Sequence, residues 1–281
     1  MPAWQEVTRF EDDRVHLGVL VDKTDPSPTI DLQRRALIAL DMKGDCLPIE
    51  IPSAEFPEAI EHLAKCGFAG LSVERPLKVF AAKFATRFWV ARQSQGVANA
   101  LKFQDGIYAQ NTEIPAIVSL ISKIEPGLAL VLGSGPAARS VTMALFDQGW
   151  QVRVWNRNAL RSRPMVSYFQ RFGKVEMSPN PDPSGCRLVA NATPLGKKAG
   201  EQPPLLWAYV RPKTAFLDMV YRRVPTEFLR SASGRGLATI DGREVVIEQL
   251  ALAVEWWLGG GVLRNPLREV MGLRAVVHPI S

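Results

Sequence analysis

Two short stretches carry residues whose types and spacing point to chemistry. The first, Gly133-Ser134-Gly135-Pro136-Ala137-Ala138, fits G-x-G-x-x-A. It follows the apolar run LALVL and opens a segment with helical spacing at Val141, Ala144 and Leu145. That strand–turn–helix context is the one anion binding requires. The first glycine makes the tight turn, the second lets a pyrophosphate approach the backbone, and the small third position lets helix and strand pack closely. Backbone N–H groups at the helix start bind the anion. A glycine turn without a ligand is the competing reading. The second stretch, VRVWNRNALRSR from Val152 to Arg163, crowds Arg153, Arg157, Arg161 and Arg163 behind an apolar run. Such a cluster grips nucleic acid, holds one phosphate, or is a solvated helix face.

The glycine loop narrows that choice. A site for NAD ends its second strand with Asp or Glu, which accepts hydrogen bonds from the ribose hydroxyls. Here the strand ends Trp155-Asn156-Arg157, with no acid. Arg157 instead meets a 2′-phosphate, and its flat guanidinium stacks on adenine. Arg161 lies one helical turn further on and completes the clamp. The expected cofactor is NADP, with Arg153 and Arg163 solvated.

The elements that position these residues alternate along the chain. Val15–Val21 reads as a strand, Thr29–Asp41 as a helix, Cys46–Ile51 as a strand, and Ala69–Val73 as another. Ser53 is placed to cap a helix over Phe56–Cys66, with Gly67 just past its end. This βαβαβ rhythm predicts a parallel or mixed sheet covered by helices. A second unit follows a helix at Ile114–Ile124 and the break Glu125-Pro126-Gly127. Its strands are LALVL, QVRVW, Leu188–Ala190, Ala215–Asp218 and Ala238–Ile240. After Gly242 the pattern turns helical through Val246, Leu250, Val254 and Trp257. That tail is expected to pack back on the first unit, with Trp256-Trp257-Leu258 as core rather than interface.

Composition sets the bounds. The chain has 281 residues and 47% hydrophobic content, enough for one large core or two smaller ones. No apolar run is long enough to span a bilayer, and the start, MPAWQEVTRFEDDR, is too polar for a signal peptide, so a cytoplasmic location is the default. Cys46, Cys66 and Cys186 are far apart with no CxxC, and His16, His62 and His278 are scattered. This argues against a disulfide framework and a metal site. The net charge of +6 suits an anionic small ligand, and no nucleic-acid module pattern occurs. No nucleic-acid or membrane partner is expected.

From about Val15 to the C-terminal helices, several segments resemble the shikimate/quinate dehydrogenase family. NRNALR is similar to that family's Asn-Arg-Thr-x-x-Arg loop, which implies an adenosine-phosphate role for Asn156, Arg157, Asn158 and Arg161. NATPLG resembles its Asn-Ala-Thr-Ser-x-Gly loop along the cofactor, bringing in Asn191 and Thr193. DMVY resembles its Asp-x-x-Tyr segment, whose tyrosine, here Tyr221, faces the substrate; Asp241-Gly242 with Gln249 keeps the spacing of its terminal motif, whose glutamine reaches a ring hydroxyl. Gly133, Ser134, Gly135, Pro136, Ala137, Met219 and Gly242 join the implied cofactor-binding set. SVERPLK puts Lys78 at the place of the family's catalytic lysine, NTE puts Glu113 at the place of its catalytic aspartate, and Asn99 falls where a substrate-binding asparagine is expected.

The resemblance implies an α/β fold with two domains. Residues 1–113 with 242–281 form a substrate domain completed by C-terminal helices, and residues 114–241 form a Rossmann NADP-binding domain. It also implies a small cyclic polyol as substrate, a monomer or homodimer, and a place in aromatic amino acid biosynthesis. The chemistry follows from the groups themselves. An amine near a ring hydroxyl polarises the C–O bond and relays the proton as hydride leaves carbon, and a neighbouring carboxylate orients it.

Departures gather at the implied substrate pocket. Ser27 is kept from a Ser-x-Ser-Pro segment that holds the substrate carboxylate, but Asp25 replaces its partner serine. Glu74 replaces a threonine, Ser72 an asparagine and Ala100 another threonine. Glu113 is one methylene longer than aspartate, which moves the charge by roughly 1–1.5 Å, a displacement able to cost about a hundredfold in rate. Two added anions repel a carboxylate. Three readings follow: an NADP-dependent shikimate or quinate dehydrogenase, a family member acting on another cyclic alcohol (neutral, amine-bearing, or an acid oriented differently), and a non-enzymatic NADP(H)-binding protein.

Overall fold

The computed structural model describes residues 1–22, 28–88, 96–262 and 264–275. The chain forms two compact units, Met1–Thr112 with Ile247–Ser281, and Glu113–Val246.

In the first unit, β1 (Val15–Val21), α1 (Thr29–Ala39), β2 (Gly44–Glu50), α2 (Phe56–Leu63) and β3 (Gly70–Val73) make the alternating run; α3 (Lys78–Phe84), β4 (Arg87–Phe88), β5 (Ala100–Phe103) and β6 (Ile107–Gln110) follow. The sheet order is β2-β1-β3-β5-β6-β4. β1 pairs parallel with β2 and β3, and β5 turns antiparallel to both β3 and β6, so the sheet is mixed. β1 is buried nearly throughout because its VHLGVLV run offers apolar residues to both faces. The β5–β6 hairpin turns at Gln104-Asp105-Gly106.

α2 buries Phe56, Ala59, Ile60 and Leu63, one apolar stripe at i, i+3, i+4 and i+7. Ser53 does not cap it. Residues Ser53–Glu55 form a 3-10 turn, the N-cap is Glu55, and Ser53 Oγ donates to Asp22 Oδ2 at 2.6 Å. Proline at the start of α2 supplies the preset φ that a side-chain cap would otherwise help to fix.

α8 (Gly242–Leu258) begins in the second unit, and from Ile247 onward it belongs with the first, together with α9 (Arg264–Val270). The Trp257 indole lies against Gly70 so closely that a Cβ there would stand 2.1 Å from it. Lys102 Nζ donates to Trp256 O at 3.1 Å. Arg264 ties α9 to Glu248 and Glu255 of α8, and Arg35 of α1 pairs with Glu269 of α9. The tail thus completes the first unit, with Trp257 in its core.

The second unit is a doubly wound parallel sheet of Rossmann type. Its elements are α4 (Glu113–Ile121), β7 (Leu128–Leu132), α5 (Pro136–Asp147), β8 (Gln151–Trp155), α6 (Ala159–Phe169), β9 (Val175–Met177), β10 (Cys186–Asn191), β11 (Ala215–Asp218), α7 (Glu227–Ser233) and β12 (Thr239–Ile240). The order β12-β11-β10-β7-β8-β9, with every described pair parallel, reverses direction between β7 and β10. Ligands of such sheets bind outside the carboxyl ends of the strands at that reversal. No helix among the described residues is long and apolar enough to cross a membrane.

Candidate functional site

Three strand ends converge on the first glycine of the loop after β7. Gly133 has φ +115°, its N–H donates to Trp155 O at 2.8 Å, and a Cβ would stand 2.9 Å from Ala192 O. Any side chain there would strain the backbone and collide with it. Gly135 is different. It is the N-cap of α5 in an extended conformation, and a Cβ would meet nothing within 4 Å among the described residues. Packing leaves that face open to an approaching ligand. α5 has no side-chain cap and carries Pro136 in its first turn. Arg139 N–H closes onto Gly135 O at 3.1 Å, while the amides of Ala137 and Ala138, nearer the helix start, have no intrahelical acceptor. This cradle fits a dinucleotide pyrophosphate.

The turn after β8 is tied to the same loop. Asn156 Nδ2 donates to Ser134 Oγ at 2.7 Å, Asn158 N–H donates to Asn156 Oδ1 at 2.9 Å, and Asn158 Oδ1 caps α6 by accepting from Leu160 N–H at 3.1 Å. Arg157, between the two asparagines, and Arg161, in the first turn of α6, are exposed. Among the described residues neither is paired with a carboxylate. Arg153, expected to be solvated, is half-buried instead. Its Nε meets Glu176 Oε1 of β9 at 3.2 Å, because the parallel register sets Arg153 opposite Glu176, and its Nη1 donates to Ser184 O. Arg163 is exposed.

The ends of β10 and β11 are held by a buried polar network. Asn191 is fully buried; its Nδ2 donates to Leu195 O and to Asp218 Oδ1, both at 2.9 Å, and its Oδ1 accepts from Thr193 N–H at 3.1 Å and Thr193 Oγ1 at 2.7 Å. Asn191 therefore shapes the loop that presents Thr193. Asp218 also accepts from Val220 N–H at 2.9 Å and from Thr226 Oγ1 at 2.5 Å. Thr226 and Asp218 organise the segment carrying Met219 and Tyr221, and the Asp218-x7-Thr226 spacing is the only trace of that pairing in the sequence.

Burial pushes the Asp218 carboxyl up to about 6 from 3.8, against the hydrogen bonds from Thr226, Val220 and Asn191 and with a further rise from nearby Asp241. The folded state therefore binds this proton more tightly than the unfolded chain. Its contribution to stability is full below pH 3.8 and declines as pH rises towards about 6. Relative to Asp218→Asn, the wild type is expected to lose about 2–3 kcal/mol between pH 4 and 7. Urea unfolding of both proteins across that range checks it; a pH-independent difference would refute the assignment.

Gly242 opens α8 where two backbones meet. A Cβ there would lie 2.3 Å from Val220 O and 3.1 Å from Asp218 O. Arg243 pairs with Asp241 through Nε and Nη2 at 3.0 and 2.9 Å, and its Nη1 donates to Arg223 O at 3.1 Å. Gly242→Ala is expected to cost about 1–3 kcal/mol of stability and to lower kcat/KM by displacing the Met219–Tyr221 segment. Urea midpoint and steady-state rates test this, and wild-type values in both would show that the backbones separate freely.

In the first unit, Lys78 is the first residue of α3 and is half-buried; its carbonyl accepts from Ala98 N–H at 2.9 Å. Asn99 gathers two distant positions. Its Nδ2 donates to Thr112 Oγ1 at 2.9 Å and to Gln249 Oε1 at 3.1 Å, and its Oδ1 accepts from Thr112 N–H at 2.8 Å. Thr112 is a residue that motif reading passes over, and it is buried here. Glu74 accepts from Thr29 Oγ1, at the start of α1, at 2.7 Å. Ser72 Oγ accepts from buried Gln33 at 2.7 Å. Asp25 and Ser27 lie outside the described residues. In the second unit, Glu113 begins α4, half-buried, and Tyr221 is exposed. Among the described residues no group of three or more His, Cys, Asp or Glu side chains is arranged to hold a metal ion.

No protein-family model matches the sequence. The chain is 31% identical over 230 residues to a shikimate dehydrogenase (NADP+) of Thermus thermophilus, covering 80% of this chain and 85% of that protein. Among solved structures, a shikimate 5-dehydrogenase of Thermus thermophilus, in complex with NADP(H) and shikimate, matches with a TM-score of 0.83 and 26% identity, covering 92% and 98% of the two chains. Ligand-free 5-ketofructose reductase of a Gluconobacter species matches with a TM-score of 0.86 at 18% identity over 92% and 98%, a likeness of fold.

Proposed function

The chain belongs to the shikimate dehydrogenase family, and we propose on that premise that it is an NADP-dependent oxidoreductase interconverting shikimate and 3-dehydroshikimate. The observation that carries the cofactor side is the open backbone at Gly135, together with two exposed arginines that have no carboxylate partner among the described residues. The second unit holds the cofactor: Gly133, Ser134, Gly135, Pro136 and Ala137 receive the pyrophosphate, and Arg157 and Arg161 the 2′-phosphate. Asn156, Asn158, Asn191 and Gly242 keep these loops in place, with Thr193 and Met219 along the nicotinamide side. When bound, NADP+ supplies the hydride acceptor.

The first unit holds the substrate. Asn99 and Gln249 form a hydrogen-bonded pair suited to ring hydroxyls. Lys78 is assigned the polarising of the reacting C–O bond and the taking of the hydroxyl proton, and Glu113 the part of the family's catalytic carboxylate. Tyr221, Ser27, Asp25 and Glu74 are assigned to substrate binding by the family resemblance alone. The test is NADP+ reduction followed by near-ultraviolet absorbance with shikimate, and NAD+ in parallel. Turnover with a strong preference for NADP+ is expected. Tight NADPH binding without shikimate turnover would reject the substrate, and equal use of both cofactors would reject the arginine assignment.

A further inference from the structure

We infer that Thr112 is a positioning residue of the substrate site: through Asn99 it sets the polarity of Gln249, so that Gln249 meets a substrate ring oxygen as a hydrogen-bond donor. The inference rests on the function proposed above. All three residues belong to the first unit. The polarity starts at a group that cannot be reversed. A backbone N–H only donates, and the N–H of Thr112 reaches the Asn99 amide at 2.8 Å, so the atom that meets it is Oδ1. Nδ2 therefore occupies the other arm. One of its two hydrogens goes to Thr112 Oγ1 at 2.9 Å and the other to Gln249 at 3.1 Å. An amide nitrogen donates and does not accept, so the Gln249 atom that meets it is Oε1. Gln249 is half-buried, and no described residue accepts from its Nε2. Asn99 has no donor left for a ligand, and the donor this pair offers is Gln249 Nε2.

Thr112 holds both arms of that amide, because its hydroxyl also reaches Asn99 Oδ1 at 3.2 Å. Thr112 stands one residue before α4, where a threonine ordinarily caps the helix, yet its buried hydroxyl goes to Asn99. The backbone of Asn99 is fixed as well. Its N–H donates to Gln110 O at 3.0 Å, and its carbonyl accepts from Val73 N–H at 2.9 Å. Turning the Asn99 amide over would set Nδ2 against the Thr112 N–H, donor against donor, so the order holds. The consequence is selective. A ring hydroxyl accepts from Gln249 Nε2, whereas a protonated amine, which only donates, finds no acceptor in that arm.

The test measures KM and kcat for shikimate, with NADPH binding followed by fluorescence. It compares wild type, Thr112→Val, Thr112→Ser, Gln249→Met and the double variant Thr112→Val with Gln249→Met. Thr112→Val is expected to raise KM about three- to tenfold, the range for one hydrogen bond, with kcat and NADPH affinity little changed. Thr112→Ser keeps the hydroxyl and restores the wild-type KM. In the Gln249→Met background, Thr112→Val adds no further rise, since Thr112 acts through Gln249. A lower melting temperature with an unchanged KM makes Thr112 merely structural and overturns the inference. Additive rises in KM separate Thr112 from Gln249 and overturn it too. If Thr112→Val does not fold, Gln249→Glu decides. Its carboxylate still accepts from Asn99 but puts an acceptor where Nε2 stood, so KM is expected to rise about tenfold. An unchanged or lower KM shows the substrate donating there and overturns the inference. A wild type that binds NADPH yet does not turn over shikimate rejects the proposed function itself, and the inference with it.

Discussion

Replacing Lys78 with alanine is expected to lower kcat for shikimate oxidation by about two to four orders of magnitude, the range for loss of a positioned general acid–base group. NADPH affinity is expected to stay unchanged, since the glycine loop and the arginines lie on other elements. The argument begins with where the lysine sits. Lys78 is the first residue of α3, after an N-cap, Leu77, that makes no side-chain cap. A cation at a helix N-terminus opposes the macrodipole by about 0.3–1 kcal/mol, so folding gains nothing from a lysine there. Lys78→Ala should therefore melt no lower than wild type while its activity collapses. Lys78→Arg separates charge from proton transfer. A guanidinium stays protonated at any working pH, so it polarises the oxygen without relaying the proton, and kcat should remain low. Substantial kcat in Lys78→Ala, or full activity in Lys78→Arg, would remove Lys78 from the proton path.

The parts of this molecule that were legible in its sequence are those where one local signal decides. LALVL running into Gly133 could be read because an apolar strand, a glycine turn and helical spacing follow one another without interruption, and Ala215–Asp218 coincides with β11. Other elements escaped because their signals conflict. The extent of α6, which buries Ser162, Met165, Val166 and Phe169, is masked in the sequence by Pro164 and by Arg161 and Arg163 within it. β4, β5 and β6 have two to four residues each, too short for alternation to stand out. At the site, the motif positions were readable but their couplings were not. Nothing local links Asn99 to Gln249, 150 residues away, or shows that Asn191 spends its amide on Asp218 and Leu195. The elevated Asp218 carboxyl is likewise a property of burial, which only the packed fold supplies.

The double substitution Arg157→Ala with Arg161→Ala is expected to raise KM for NADP+ by about ten- to a hundredfold, two charge-assisted contacts of modest strength at an exposed site, while KM for NAD+ and kcat change little. Arg157 precedes the N-cap of α6, Asn158, and Arg161 lies in its first turn. Arg161 N–H donates to Asn158 O at 3.0 Å, so the backbone that carries them is set before any ligand arrives. Neither side chain is neutralised by an acid among the described residues, and β8 ends without the carboxylate that would favour ribose hydroxyls and repel a phosphate. Because the contacts face water, the preference for NADP+ should shrink as salt shortens the Debye length from about 10 Å at 0.1 M to about 3 Å at 1 M. A parallel rise in KM for both cofactors would show that the arginines serve the adenine ring through stacking. An unchanged KM for NADP+ would return them to the solvated face that a basic helix otherwise presents.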